Sequence, residues 1–159
     1  NGRLIVPGGV DPHVHLQMPT GTTRTSDDWY SGSLAALYGG TTSILDFVEP
    51  ANGESLLQAL NKRKAEATEK CWVNYGLHMT AASVSRDILN QILEMPAHGI
   101  TSFKSYTTYD GMKLDYAEIK LVMQTVEKVG GLLMVHAEDD LLLKGARQQL
   151  VDSGRISPQ

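Results

Sequence analysis

The stretch Gly9-Val10-Asp11-Pro12-His13-Val14-His15 closes an apolar run (Leu4, Ile5, Val6, Val10) and sets two histidines one residue apart. The run reads as the end of a buried strand. Side chains on a strand repeat every second residue, so His13 and His15 are expected to point the same way. Two imidazoles converging from one rigid element supply a metal ion with its first pair of ligands. By itself the pair has a plainer explanation, two polar residues at a strand end, and its meaning depends on the rest of the chain. It does bear on the fold. No phosphate-binding glycine loop follows it, as one would after the first strand of a dinucleotide-binding open sheet.

Outward from this stretch the chain alternates. Apolar runs recur at 10–15, 42–47, 73–78, 102–106 and 132–136, each gap being about thirty residues, the length of one strand-helix unit. Helical patterns fill the gaps. The first starts at Ser26 as N-cap, with Asp27 and Asp28 in its first turn, and stops at Gly39-Gly40. The second covers roughly 54–70, with Leu56, Leu57 and Leu60 inward and a lysine/arginine-rich outer face. The third carries Ile88, Leu89, Ile92 and Leu93 and breaks at Pro96 and Gly99. In the fourth, Asp115 and Glu118 form a capping box ahead of Ile119, Val122, Met123, Val126 and Val129. A fifth begins near Asp139 and fades at Ser153-Gly154.

Strand-helix alternation means a parallel sheet covered by helices. Without the glycine loop, and with histidines at the C-terminal end of the first run, a (β/α)8 barrel is favoured over an open doubly wound sheet. A complete barrel has eight units and about 250 residues. This α/β chain is therefore expected to be a partial (β/α)8 TIM barrel, about its first five βα units. Two open sheet edges and an unclosed core would make such a piece aggregation-prone by itself. The ends agree: Asn1 opens inside a continuing segment, and Ser157-Pro158-Gln159 carries no closing feature.

Composition sets outer bounds. The 159 residues are 42% hydrophobic, enough for a core, and a net charge of −4 without a basic patch argues against a nucleic-acid or anionic-membrane partner. The sole cysteine, Cys71, excludes an internal disulfide and is expected to pack as a small apolar group. No apolar stretch reaches membrane-spanning length and no signal peptide opens the chain, so a cytoplasmic location is expected.

The later runs supply the histidines' partners. Ser102-Phe103-Lys104-Ser105-Tyr106 puts a lysine inside a buried strand, which is costly unless its charge is paired or removed. Pairing with a carboxylate comes first on physical grounds. The sharper reading is a neutral amine that adds carbon dioxide and becomes a carbamate able to bridge two metal ions. Leu132-Leu133-Met134-Val135-His136 ends in an imidazole, which alone could as well be satisfied by a backbone carbonyl. His13, His15, Lys104 and His136 nonetheless share one end of the presumed barrel, which argues against coincidence. The remaining residues take simpler readings: His78 is packing or supports a ligand from behind, and His98 is solvent-facing. Asp11, Asp46 and Glu49 are candidates to orient ligands. Trp29, Tyr30 and Trp72 are read as helix-to-sheet packing.

Taken together, these residues resemble the amidohydrolase superfamily, and within it the dihydropyrimidinases or D-hydantoinases. The carrying motifs are Gly8-Gly9-Val10-Asp11-Pro12-His13-Val14-His15-Leu16-Gln17-Met18-Pro19 and Gly39-Gly40-Thr41-Thr42-Ser43-Ile44-Leu45-Asp46-Phe47, then Ser102-Phe103-Lys104 through Tyr109, and Val135-His136-Ala137-Glu138. The resemblance implies that 1–159 is the N-terminal part of a catalytic barrel. A small β-sandwich, built from both ends of the longer protein, and the last barrel units would lie outside it. His13 and His15 would bind the more buried of two divalent metals, usually zinc. Lys104, carboxylated on its side-chain nitrogen, would bridge them, and His136 would bind the exposed one. Tyr109 would hydrogen-bond the substrate carbonyl and stabilise the oxyanion. The implied reaction is attack of a hydroxide bridging the two metals on a dihydropyrimidine or 5-substituted hydantoin, giving an N-carbamoyl amino acid. A further histidine and an aspartate ligand would come from beyond Gln159, so this piece alone is expected to be inactive. Leu16, Met18 and the loop after Tyr109 are placed at the pocket border, sorting substrates by ring substituent. The partner is thus a small cyclic ureide or imide, and the full-length protein a homotetramer.

Two other readings stay open. Allantoinase- or dihydroorotase-like cyclic amidases share the scaffold but carry a glutamate or arginine-glutamate before the proline, where this chain has Leu16-Gln17-Met18-Pro19. A non-enzymatic binding protein similar to the collapsin-response-mediator proteins would lack an intact ligand set, whereas His13, His15, Lys104 and His136 are all present.

Overall fold

A computed structural model describes residues 2–20 and 22–157 of the chain. Asn1, Pro158 and Gln159, on which the reading of the two ends partly rests, lie outside those residues, as does Gly21. The chain divides into two compact units, Asn1–Thr80 with Glu94–Ile100 and Ala81–Leu93 with Thr101–Gln159.

The first unit carries β1 (Gly9–Asp11), β2 (Pro19–Thr20), β3 (Thr23–Arg24), α1 (Trp29–Tyr38), β4 (Thr41–Val48), α2 (Leu56–Ala67) and β5 (Asn74–Thr80). Both β1 and β5 pair parallel with β4, in register Asp11↔Ile44 and Phe47↔His78. Parallel neighbours need a crossover, and helices α1 and α2 provide it. Strand β4 is buried toward its C-terminal end at Asp46, Phe47 and Val48. Leu56, Ala59 and Leu60 of α2 are buried with Ile44 of β4 and Met79 of β5.

Three expectations need correction here. The first strand stops at Asp11 because Pro12 has no N–H for a ladder; His13 and His15 lie beyond it. Leu4 and Ile5 are 93% and 99% exposed, so the apolar run is not a buried strand: no described strand covers that side of β1. Helix α1 is capped by Asp28, not Ser26, because the Asp28 carboxylate accepts from Ser31 N and the Ser31 hydroxyl oxygen accepts in turn from Asp28 N. Tyr30 and Trp72 are half exposed and pack edge-on against each other, whereas Trp29 is fully buried. The antiparallel β2–β3 pair carries no sequence signal that the alternation revealed.

The second unit carries α3 (Arg86–Glu94), β6 (Ser102–Tyr106), α4 (Tyr116–Lys128), β7 (Leu132–His136) and α5 (Asp140–Asp152). Between α3 and β6 a single 3-10 turn, Met95–His98, belongs to the first unit; Pro96 opens it, Gly99 closes it at φ +85°, and His98 is exposed. Strands β6 and β7 pair parallel, Lys104↔Met134 and Tyr106↔His136. Asp115 and Glu118 form the expected capping box on α4, whose Ile119, Val122 and Val126 are buried; Met123, by contrast, is half exposed. No helix among the described residues is long and apolar enough to cross a membrane.

Candidate functional site

In the first unit the two histidines converge beyond the end of β1. His13 Nε2 lies 3.1 Å from His15 Nε2. Both rings rest on Phe47, at centroid distances of 4.8 and 4.7 Å, and Phe47 packs in turn on His78. The segment that carries them is held from several sides. Val14 N donates to Leu45 O and His13 N to the Asp11 carboxylate. The buried His78 ring meets Pro12 O through Nε2 at 3.0 Å, so His78 supports the segment from behind. Asp11 likewise supports the backbone of His13.

Asp46 and Arg63 complete this support. Asp46, 1% exposed, accepts from Leu16 N at 2.8 Å and from Phe47 N at 2.5 Å. Arg63 from α2 donates to Asp46 at 2.6 Å and to Leu16 O at 2.5 Å. Its guanidinium stacks 4.7 Å from the Trp29 ring, and a second ion pair joins it to Glu66. Arg63 is therefore not on the outer basic face of its helix, and the alternation gave no signal for it. Leu16 is buried, and Met18, His15, Glu49 and Asp46 line the adjacent cleft. Burial pushes the Glu49 carboxyl up, partly countered by the Arg63 charge.

In the second unit the ladder does the placing. Lys104 and Tyr106 alternate onto one face of β6, and register brings Met134 and His136 beside them. Lys104 is buried, its Nζ 5.6 Å from the Tyr106 ring, and burial pushes its amine below the ordinary lysine range. Tyr109 sits on the loop after β6, its hydroxyl 3.1 Å from His136 Nε2. Glu138 Oε2 lies 2.6 Å from that same nitrogen. Burial, then the Glu138 charge, push the Tyr109 phenol up, so it stays a proton donor at neutral pH.

The Tyr109 loop has its own anchor, which the sequence reading passed over. Asp140, the first residue of α5, accepts from Thr108 Oγ1 at 2.9 Å and from Lys113 Nζ at 2.7 Å, with Lys144 at 3.2 Å. The Lys113 bond, with help from Thr108 and Lys144, holds its carboxyl down at about 2, from an ordinary 3.8. Tyr109 needs such support because its φ of +75° is a left-handed conformation that costs a side-chain-bearing residue roughly 1–2 kcal/mol.

The donor set suits a metal as follows. Two histidine nitrogens on a tetrahedral ion, each about 2.0–2.1 Å from it, stand roughly 3.3 Å apart, close to the 3.1 Å between His13 and His15. His136 offers Nε2, though coordination there would replace its contact with Glu138. Among the described residues no three histidine, cysteine, aspartate or glutamate side chains converge on one point. The expected set differs from such a cage, since it includes a lysine. The structure brings together His13 with His15, and Tyr109 with His136, and it places Lys104 on the His136 face.

Comparison with known proteins fits this arrangement. The Streptomyces coelicolor D-hydantoinase is 36% identical over 100% of this chain and 34% of its own length. The Caenorhabditis elegans dihydropyrimidinase 2 is 37% identical over 99% of this chain and 31% of its own. Crystal structures of a D-hydantoinase from Bacillus sp. AR9 and a dihydropyrimidinase from Brevibacillus agri, each 35% identical, cover 96% of the chain with TM-scores of 0.90 and 0.91. The chain spans about a third of the length of the curated relatives it matches. Its fold class is accordingly that of a partial (β/α)8 barrel. With residues 4–155 matching the profile of the Amidohydrolase family, the chain belongs to that family.

Proposed function

We propose that the full-length protein opens a cyclic amide, a dihydropyrimidine or 5-substituted hydantoin, to an N-carbamoyl amino acid. One observation carries the reading: His13 and His15 converge to 3.1 Å in a chain whose relatives are named D-hydantoinase and dihydropyrimidinase. Residues 1–159 are then the N-terminal part of the catalytic barrel. The rest of the protein contributes the last barrel units, a small β-sandwich and the remaining histidine and aspartate ligands. The same reading gives a small cyclic ureide or imide substrate, a homotetramer and a cytoplasmic location.

His13 and His15 would hold one divalent ion, zinc in this reading, and His136 a second, with carboxylated Lys104 between them. When bound, the ions supply Lewis acidity and a water that is deprotonated near neutral pH. The chain's own residues do the rest. Burial favours the neutral Lys104 amine, the form whose lone pair adds carbon dioxide, releasing one proton as the carbamate forms. Tyr109 donates its O–H to the carbonyl oxygen on which charge develops, exchanging its present contact with His136 for one with substrate. Burial, and after it the charge of Glu138, push the phenol further up, so Tyr109 keeps its proton for this contact.

The test is turnover and metal content of the full-length protein. Ring opening of dihydrouracil and hydantoin, with bound transition metal, is expected; residues 1–159 alone should be inactive. Opening of allantoin only would reassign the protein to the allantoinases. A metal-free protein without turnover would point instead to a binding protein on the same fold.

A further inference from the structure

We infer that Asp46 and Arg63 are positioning residues for the metal pair: together they fix the backbone of Leu16, and through it the aim of His15 and His13. This rests on the proposed metal role of the two histidines. The contacts form a closed ring. Leu16 N–H donates to Asp46 Oδ2, Arg63 Nη2 donates to Asp46 Oδ1, and the same Nη2 donates to Leu16 O. Both backbone polar groups of one residue, the neighbour of His15, are thus held by one buried ion pair. Its side chain is held as well, because α1 approaches so closely at Gly32 that a Cβ there would stand 2.3 Å from Leu16 Cδ2. Asp46 reaches the histidines by a second route: it accepts from the N–H of Phe47, whose ring is the floor under both imidazoles.

A purely stabilising role explains these contacts poorly. Asp46 and Arg63 are 1% and 11% exposed, and a buried ion pair stabilises little compared with apolar side chains of similar size. Three of the pair's hydrogen bonds meet at Leu16, on a segment beyond the end of β1. Where a longer ladder would have fixed the histidines by register, one backbone bond from Val14 to Leu45 remains and the ion pair holds the far end of the segment. Arginine suits the position because its rigid planar fork fixes Asp46 and the Leu16 carbonyl in one geometry, which the compact, freely rotating charge of a lysine does not.

Four variants of the full-length protein test this: Arg63→Met, Arg63→Lys, Glu66→Gln and Leu60→Ala. Zinc affinity is read by chelator competition, the ligand field by the absorption spectrum of the cobalt-loaded protein, and folding by thermal melts. Both Arg63 variants should lose about ten- to hundred-fold in affinity for the first ion and show an altered cobalt spectrum. Excess metal should restore kcat with KM unchanged. Glu66→Gln removes only the outer ion pair and should bind as the parent does. Leu60→Ala removes a fully buried side chain from the same helix and none of the Leu16 hydrogen bonds, and should lower the melting temperature but not the affinity. Parent-like affinity and spectrum in Arg63→Lys, the variant more certain to fold, would overturn the inference. So would an affinity loss in Leu60→Ala equal to that in the Arg63 variants. A parent protein that binds no metal would instead remove the functional reading beneath it.

Discussion

The two units place their functional side chains by different physics. In the second unit Lys104 and His136 stand on paired strands, and register alone, Lys104↔Met134 and Tyr106↔His136, sets them on one face. In the first unit His13 and His15 stand beyond the end of β1. Their convergence comes from Asp46 on β4, Arg63 on α2 and His78 on β5, none of them near the pair in sequence. Placement by a ladder is stiff and repeats every second residue. Placement by side-chain hydrogen bonds depends on a few distant residues, so single substitutions should reach the site from outside it. The second unit uses such a device for its loop residue, Tyr109, through Asp140.

The largest effect should come from the ladder-placed lysine. Lys104→Met in the full-length protein is expected to lose bound metal and to lower kcat by roughly a thousandfold, the equivalent of several kcal/mol of transition-state stabilisation. The chain should still fold, since a buried amine is exchanged for an apolar side chain of similar length. Metal analysis and a thermal melt separate the two effects. Turnover that survives would show that Lys104 is an ordinary buried lysine.

Tyr109→Phe comes next. Removing one donor to a developing oxyanion costs about 10²–10³ in kcat, and metal content should stay at the parent level because Tyr109 is no ligand. A change in KM alone would move Tyr109 from the reaction to the pocket wall. Setting this variant beside Lys104→Met sharpens the contrast within the second unit, between a residue that holds metal and one that holds substrate.

This difference in physics also explains what could be read from the sequence. Alternation with a period of two, and helices between the runs, are properties of neighbouring residues, so the strands around Lys104 and His136 and the capping box of α4 were legible. So was the shared direction of His13 and His15, although for another reason than the strand that suggested it: Pro12 had ended the ladder. Arg63 was illegible because it lies in Asn61-Lys62-Arg63-Lys64, where a basic run looks like a solvated face; only its position against Trp29 and Leu16 turns it inward. Asp140 was hidden in the same way by Asp139, the true N-cap of α5, which accepts from Leu141 N and Leu142 N. Nothing in two adjacent aspartates tells which one caps and which one reaches back to Thr108.

Asp140 yields the smallest effect and the finest comparison with the first unit. If it anchors the Tyr109 loop as Asp46 anchors Leu16, Asp140→Asn should lower kcat modestly, by about tenfold, and leave metal affinity unchanged. The pH dependence of its structural role has a definite sign. The folded carboxyl titrates at about 2, below its ordinary 3.8, so the unfolded chain binds the proton more readily than the folded one. The stability that Asp140 contributes is therefore complete above pH 4 and fades as pH falls toward 2. Melting temperatures of the parent and of Asp140→Asn should differ by a constant amount from neutral pH down to about 4, then draw together between 4 and 2. The two lysines that face it, Lys113 and Lys144, stay charged throughout that window, so the convergence reports the carboxylate. A gap that persists unchanged at pH 2 would mean that the loop is held by Thr108 and backbone contacts alone, and that the two units differ more than their paired carboxylates suggest.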